Sequence, residues 1–194
     1  MDTTVLAKHI RLKVDLSDAE IEIVAAYFIE KDLPKKTILF KEGIIVDAIA
    51  FVVEGCLRSY SVDENGFEHI LQFAPEGWWI TDMLSVIKRQ QSVLNVESIV
   101  DSKVFLLKRA SQDELFDKVP KMERFFRILT ENALYATRQR VIEGMSLTAK
   151  DRYINFCETY PDTVVNNIPQ KYVAAYIGVT PEFLSKMRSQ LYRS

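Results

Sequence analysis

The chain has 194 residues, 48% hydrophobic and 27% charged, with a formal net charge of −2. This composition belongs to a globular chain of one or two domains and excludes collagen-like, disulfide-scaffold and wholly disordered proteins. No run of about 18 apolar residues offers a membrane span. The first residues lack the basic-then-apolar order of a secretory signal. Cys56 and Cys157 make no metal-ligand spacing, so the expected setting is reducing and cytoplasmic, with both thiols as small core residues.

Ser17-Asp18-Ala19-Glu20 reads as a capping box. Ile21, Val24, Ala25 and Phe28 follow it on one apolar helical face. Gly43, Gly55, Gly66 and Gly77 then recur at intervals of 12, 11 and 11 residues. Beside them lie runs rich in β-branched and aromatic residues at 37–40, 48–53, 57–62 and 67–73, with further runs at 93–100 and 104–107. Short strands punctuated in this way predict an antiparallel sandwich or barrel. Asn65-Gly66 marks a hairpin, and its residue types suit a type I′ turn. Ser111-Gln112-Asp113-Glu114 repeats the capping pattern ahead of Leu115-Phe116.

Pro120 opens a stretch with no Gly or Pro before Gly144, and proline suits a helix start. A helix of some two dozen residues extends roughly 36 Å. Met122, Phe125, Phe126, Leu129, Ala133 and Ala136 form one stripe along it. Such a helix outreaches one small β domain, so a second copy of the chain is the expected cover for the stripe. Packing within the chain is the alternative.

Residues 147–194 carry six basic and four acidic side chains, leaving the excess of acid in 1–146. That mild asymmetry permits a nucleic-acid surface near the C-terminus. The pattern predicts a helix over 150–160, a connector over 161–169, and two short helices over 170–177 and 180–192. The last pair meets the needs of a helix-turn-helix. Ala174 or Ala175 allows close approach, Gly178 tolerates the sharp turn, and Val179 plugs the space between the helices. Thr180 caps the second helix, with Pro181 at its first position. Leu184, Met187 and Leu191 face inward, while Glu182, Ser185, Lys186, Arg188 and Ser189 face out as types that read bases or hold phosphates.

Taken in order, these motifs resemble the CRP/FNR superfamily of bacterial transcription regulators over nearly the whole chain. The resemblance rests on Phe40-Lys41-Glu42-Gly43, Phe51-Val52-Val53-Glu54-Gly55, Asn65-Gly66, Gly77-Trp78-Trp79-Ile80-Thr81-Asp82 and Ile177-Gly178-Val179-Thr180-Pro181-Glu182-Phe183-Leu184-Ser185. The last motif is similar in style to the small regulators of the Bacteroidetes group. The resemblance implies an α+β fold class. An antiparallel double-stranded β-helix of the cyclic-nucleotide-binding type (a jelly roll) would span 1–119, and a dimerisation helix 120–146. A helix-turn-helix lacking most of the wing would span 147–194. It implies double-stranded DNA, a second copy and RNA polymerase as partners, and no membrane. Its DNA-contacting positions fall on Thr180, Pro181, Glu182, Ser185, Lys186, Arg188 and Ser189. Pro181 stands where the family often has arginine and brings no donor, which shifts the readout to Glu182, Ser185 and Lys186.

Family members that bind cAMP present a Gly-Glu-Leu turn to the ribose and an Arg-Ser/Thr-Ala turn to the phosphate. Here the first reads Thr81-Asp82-Met83, and the second falls at Gln90-Gln91-Ser92-Val93 without a charge; Lys88 and Arg89 just upstream are alternative phosphate partners. The expected pocket residues are Trp79, Thr81, Asp82, Met83, Gln91 and Ser92, with Trp78 and Phe73 filling the remaining space or lining an apolar effector site. Neither cAMP nor cGMP is expected to bind, and no cofactor or metal is expected. Iron–sulfur sensing needs a cysteine cluster that the chain lacks, and His9 and His69 are weak haem ligands. Two other classes stay open. One is an effector-sensing or protein-interaction module with a degenerate helix-turn-helix that does not bind DNA. The other is an enzyme on a small barrel, for which no metal-histidine pair, nucleophile motif or phosphate loop is present.

Overall fold

The Ser17 hydroxyl accepts from the Glu20 amide at 3.2 Å, and the Glu20 carboxylate accepts from the Ser17 amide at 2.8 Å. The capping box therefore forms as read. In the computed structural model, which describes residues 2–191, it opens α2 (Asp18–Ala25), which follows α1 (Thr4–Arg11). Both helices send apolar residues, Leu6 and Ile10 from the first and Ile21 and Val24 from the second, into one cluster with Phe51, Trp79 and Phe105.

The described residues hold eight strands: β1 (Phe28–Leu33), β2 (Ile38–Phe40), β3 (Ala48–Glu54), β4 (Cys56–Val62), β5 (Glu68–Pro75), β6 (Trp79–Ile80), β7 (Asn95–Ser98) and β8 (Ser102–Lys108). A short helix, α3 (Met83–Lys88), sits between β6 and β7. The strands pair antiparallel in two sheets, β1-β8-β3-β6 and β2-β7-β4-β5. This is the expected jelly roll. Val52, Ile80 and Val104 of one sheet meet Leu57, Ala74 and Val96 of the other. Each fully buried Val or Leu is worth roughly 1.5–3 kcal/mol, so this layer holds the roll closed. Gly55 joins β3 to β4 at φ +89°, where an added Cβ would stand 2.6 Å from the Asp101 carbonyl oxygen.

Three local expectations need correction. Gly66 has positive φ but Asn65 does not, so the β4–β5 hairpin is not closed by a type I′ turn. The Asp63 carboxylate instead accepts from the Asn65 and Phe67 amides at 2.9 and 3.0 Å. Helix α4 (Arg109–Lys118) begins directly after β8, so Ser111 lies inside it and caps nothing. The connector over 161–169 contains a helix of its own (Asp162–Asn167).

Helix α5 (Lys121–Ser146) is the long helix expected from the sequence. Its first turns pack on the roll. Met122 and Phe125 are fully buried, and Phe126 and Leu129 join the same cluster, beside Trp79 and Phe116. Met122 and Phe125 therefore have no surface left for a partner, while Ala133 and Ala136 are exposed. Four more helices follow among the described residues: α6 (Ala149–Thr159), α7 (Asp162–Asn167), α8 (Gln170–Ile177) and α9 (Pro181–Leu191). The helix expected to reach Tyr192 is described as far as Leu191; Tyr192 and Arg193 lie outside the described residues.

His9 sits among Phe51, Trp79 and Phe125, with ring centroids 5.4, 6.3 and 5.8 Å away. Burial, with Lys13 nearby, pushes its pKa down to about 4. The unfolded chain then binds the extra proton first, so stability falls as the pH drops from about 6.5 toward 4. With His9 partly open to solvent, screening reduces the expected loss over that window to about 1–2 kcal/mol. Urea unfolding of His9→Phe beside the parent, at pH 7 and at pH 4.5, checks this: the variant gains on the parent only at the acid end.

Candidate nucleic-acid interface

Gly178 ends α8 in the left-handed conformation at φ +76°, and its turn returns the Val179 amide to the Ala174 carbonyl at 3.0 Å. Such a tight reversal suits glycine. Thr180 caps α9, its hydroxyl accepting from the Phe183 amide at 3.2 Å. Ala174 is the small residue at the crossing and is fully buried, as is Leu184, with Met187 beside them. The two helices thus have the helix-turn-helix form that the spacing predicts.

The outer face of α9 presents Pro181, Glu182, Ser185, Lys186 and Ser189 to solvent. Arg188 leans back, half-buried, over the Tyr153 ring at 5.8 Å. The Ser189 hydroxyl donates to the Ser185 carbonyl at 3.0 Å, which ties it to its own helix. An open groove of about 460 Å³ runs between the start of α6 and α9, lined by Lys150, Lys186, Phe183 and Met187 among others. Lys150 is a cation that the motif reading left out, because it belongs to a different helix.

This segment does not stand apart from the roll. Tyr153, Phe156, Tyr160 and Val173 share a single apolar cluster with Cys56, Tyr60, Ile70 and Phe73 of β4 and β5. The Phe73 ring lies 6.0, 5.7 and 5.5 Å from those of Phe156, Tyr160 and Tyr176, and Trp78 stacks on Tyr160 at 5.3 Å. The Tyr160 hydroxyl accepts from the Phe73 amide at 3.3 Å. Cys56 in this cluster is a packed thiol, its pKa pushed up to about 12 by burial.

Arg58 is the charged centre of the contact. It is buried on β4 and bonded to Glu97 at 2.7 and 2.9 Å and to both oxygens of Glu68. The Tyr60 and Tyr172 rings sandwich its guanidinium at 4.1 and 3.9 Å. Tyr172 comes from α8, so a helix of the helix-turn-helix closes over an ion cluster of the sheet. These hydrogen bonds from Arg58 hold the Glu68 carboxyl below the usual carboxylate range. Sequence pattern offers no signal for this cluster, because Arg58 occupies an ordinary alternating strand position.

The expected pocket residues are scattered. Trp79 packs into the cluster under α5, Phe73 and Trp78 face α6 and α8, and Met83 and Gln91 are exposed. Of the two readings of these residues, filling rather than lining is the one these contacts favour, with Trp79 in one apolar cluster and Phe73 and Trp78 in another. Thr81 donates to the Ala48 carbonyl at 2.8 Å. Asp82 is buried and accepts from Ser92 Oγ at 2.7 Å, the Leu84 amide at 3.0 Å, and the Ser85 and Val93 amides at 3.3 Å. Its carboxylate already holds the donors of this turn.

The second half of α5 carries an apolar face of its own. Leu134, Val141 and Met145 are 62%, 58% and 84% exposed, and Tyr135 and Ile142 flank them. At 100° per residue these five share one face, nearly opposite the stripe of Met122, Leu129 and Ala133. Arg138 completes the 4-3-4 spacing of Leu134, Arg138, Val141 and Met145, the repeat of a two-stranded coiled coil.

An eight-stranded antiparallel roll, one long helix and a closed helix-turn-helix follow one another along the described residues. Comparison with known proteins agrees with this. Residues 30–119 match the cyclic nucleotide-binding domain family. The regulatory protein HlyX of Actinobacillus pleuropneumoniae is 20% identical over 183 residues, spanning 85% of this chain and 72% of that protein. The anaerobic regulatory protein of Haemophilus influenzae is 20% identical over 176 residues, spanning 81% of this chain and 65% of that protein. The structure of FixK2 from Bradyrhizobium japonicum superposes with a TM-score of 0.73 at 21% identity, covering 86% of this chain and 85% of the other. In sequence the chain is thus similar to these regulators, and its fold is that of solved CRP/FNR-type proteins. No helix among the described residues is long and apolar enough to cross a membrane.

Proposed function

We propose that this chain is a DNA-binding transcription regulator that acts as a homodimer and does not respond to cAMP. The observation that carries this reading is the outward polar face of α9, held on a closed helix-turn-helix by Leu184 and Met187. Glu182, Ser185 and Lys186 read base edges, and Lys150 holds phosphate beside them. The uncovered face of α5 supports pairing with a second copy. Two recognition helices then meet successive half-sites about one turn, or roughly 34 Å, apart. RNA polymerase is the further partner of a regulator bound in this way, and the cytoplasm is where it meets DNA.

Lys186→Ala tests the readout. Genomic fragments selected by the parent are expected to bind the variant about tenfold more weakly, one lost base or phosphate contact being worth about 1–3 kcal/mol. Sedimentation is expected to show an unchanged dimer. A parent dimer that binds no duplex at low salt overturns the reading.

The missing cAMP response follows from the phosphate turn. A phosphate entering at Gln90-Gln91-Ser92-Val93 would find no arginine to pair with, and Ser92 is already bonded to the buried Asp82 carboxylate, whose like charge repels the phosphate. Calorimetric titration with cAMP is expected to show no binding up to millimolar nucleotide; micromolar affinity refutes the assignment.

A further inference from the structure

Strand β5 is the edge of its sheet, and its ladder with β4 slips between Ser59 and Tyr60. Gln72 faces Ser59 and Ile70 faces Tyr60, so Leu71 is the extra residue of a bulge. Bulged and edge carbonyls lack partners within a sheet. Here one side chain of α5 supplies them. Arg140 donates from Nη2 to the Ile70 carbonyl at 2.6 Å and from Nη1 to the Leu71 carbonyl.

The same Nη2 donates to the Tyr176 carbonyl at 2.8 Å, and the guanidinium lies 3.8 Å from the centre of the Tyr176 ring. Tyr176 is in the last turn of α8, where carbonyls have no partner within the helix and cations are favoured. The next carbonyl, of Ile177, accepts from Arg152 Nε at 2.9 Å. Gly178 and the turn into α9 follow at once. One guanidinium thus joins the roll, the long helix and the end of α8.

We infer that Arg140 is a positioning residue that sets where α9 stands relative to α5, and so fixes the half-site spacing that the dimer accepts. The inference rests on the proposed DNA-binding dimer. Arg140 projects from α5 roughly 100–140° around the helix from Leu134, Val141 and Met145. The rod therefore carries the pairing face and the grip on α8 on different sides. A shift of Tyr176 moves α9 with it across the three-residue turn 178–180. Only a planar fork reaches all three oxygens, which a lysine ammonium does not match.

The test uses the full chain with Arg140→Gln and Arg140→Lys. Each is offered a duplex library in which the spacing between half-sites varies base pair by base pair. In parallel, spin labels at Glu64→Cys and Ser189→Cys, in a Cys157→Ser background, report the roll-to-α9 distance without DNA. The parent is expected to select one spacing and to give one narrow distance. Arg140→Gln is expected to accept neighbouring spacings at affinities within threefold of one another and to broaden the distance distribution; Arg140→Lys falls between. Unchanged spacing preference and distance in Arg140→Gln, with or without a uniform fall in affinity, overturns the inference. Should Arg140→Gln fail to fold, Arg140→Lys decides by the same two readouts. If the parent selects no duplex, the DNA-binding reading fails, and the distance measurement still decides what Arg140 positions.

Discussion

Val141→Glu is expected to turn the dimer into monomers and to weaken binding to the selected DNA site at least 100-fold. Val141 stands at the middle of the uncovered face of α5, between Leu134 and Met145. Two-fold pairing would bring the new carboxylate against its own copy, so the substitution is felt twice. Burying an unpaired charge costs several kcal/mol, more than a short helix seam returns. A monomer holds only one half-site and loses the gain of linked binding, which is about 10²–10⁴. Ala136→Glu is the matched control, because Ala136 is exposed on the other face of the same helix. Sedimentation equilibrium and fluorescence anisotropy read both variants. A monomeric Ala136→Glu beside a dimeric Val141→Glu would move the seam to the stripe read from the sequence.

Arg58→Met is expected to cost about 3–5 kcal/mol, because it leaves Glu68 and Glu97 facing each other with no cation between them. For a chain of this length that corresponds to a fall in Tm of roughly 10 °C or more. The ring sandwich of Tyr60 and Tyr172 loses its cation at the same time. The pH dependence follows from the sign of the Glu68 shift. Its folded carboxyl titrates below its unfolded value, so it adds stability above the unfolded pKa and loses it as the pH falls through the folded one. That acid-side loss is expected to flatten in the variant. Scanning calorimetry from pH 7 down to pH 4 measures both effects, and a variant as stable as the parent would show that solvent already pays for this cluster.

The parts legible in the sequence are those fixed by neighbours in the chain. Gly178, Thr180 and Pro181 specify a turn and a cap, and the inward series Leu184, Met187 and Leu191 follows from helical spacing, so the helix-turn-helix could be drawn residue by residue. Strands β3 to β5 announce themselves by β-branched and aromatic runs. Strand β1 does not, since four exposed residues separate Phe28 from Leu33, and β6 is only two residues long. The stripe of α5 read from the sequence divides for a physical reason. Aromatic residues dominate its first half, and they are the ones the roll covers; the weaker series Leu134, Val141 and Met145 is left uncovered. Arg58 and Arg140 meet their partners across the fold, up to 70 residues away, and local pattern carries no trace of such pairs.

The aromatic layer beneath α6 and α8 also bears on how such a regulator can be taken apart. Half of that layer belongs to β4 and β5, so a fragment cut at residue 147 would take Phe156, Tyr160 and Tyr176 away from Phe73 and Trp78 and hand them to water. The reading head is therefore no interchangeable module. Grafted onto another sensor, it would need this sheet's outer surface to travel with it.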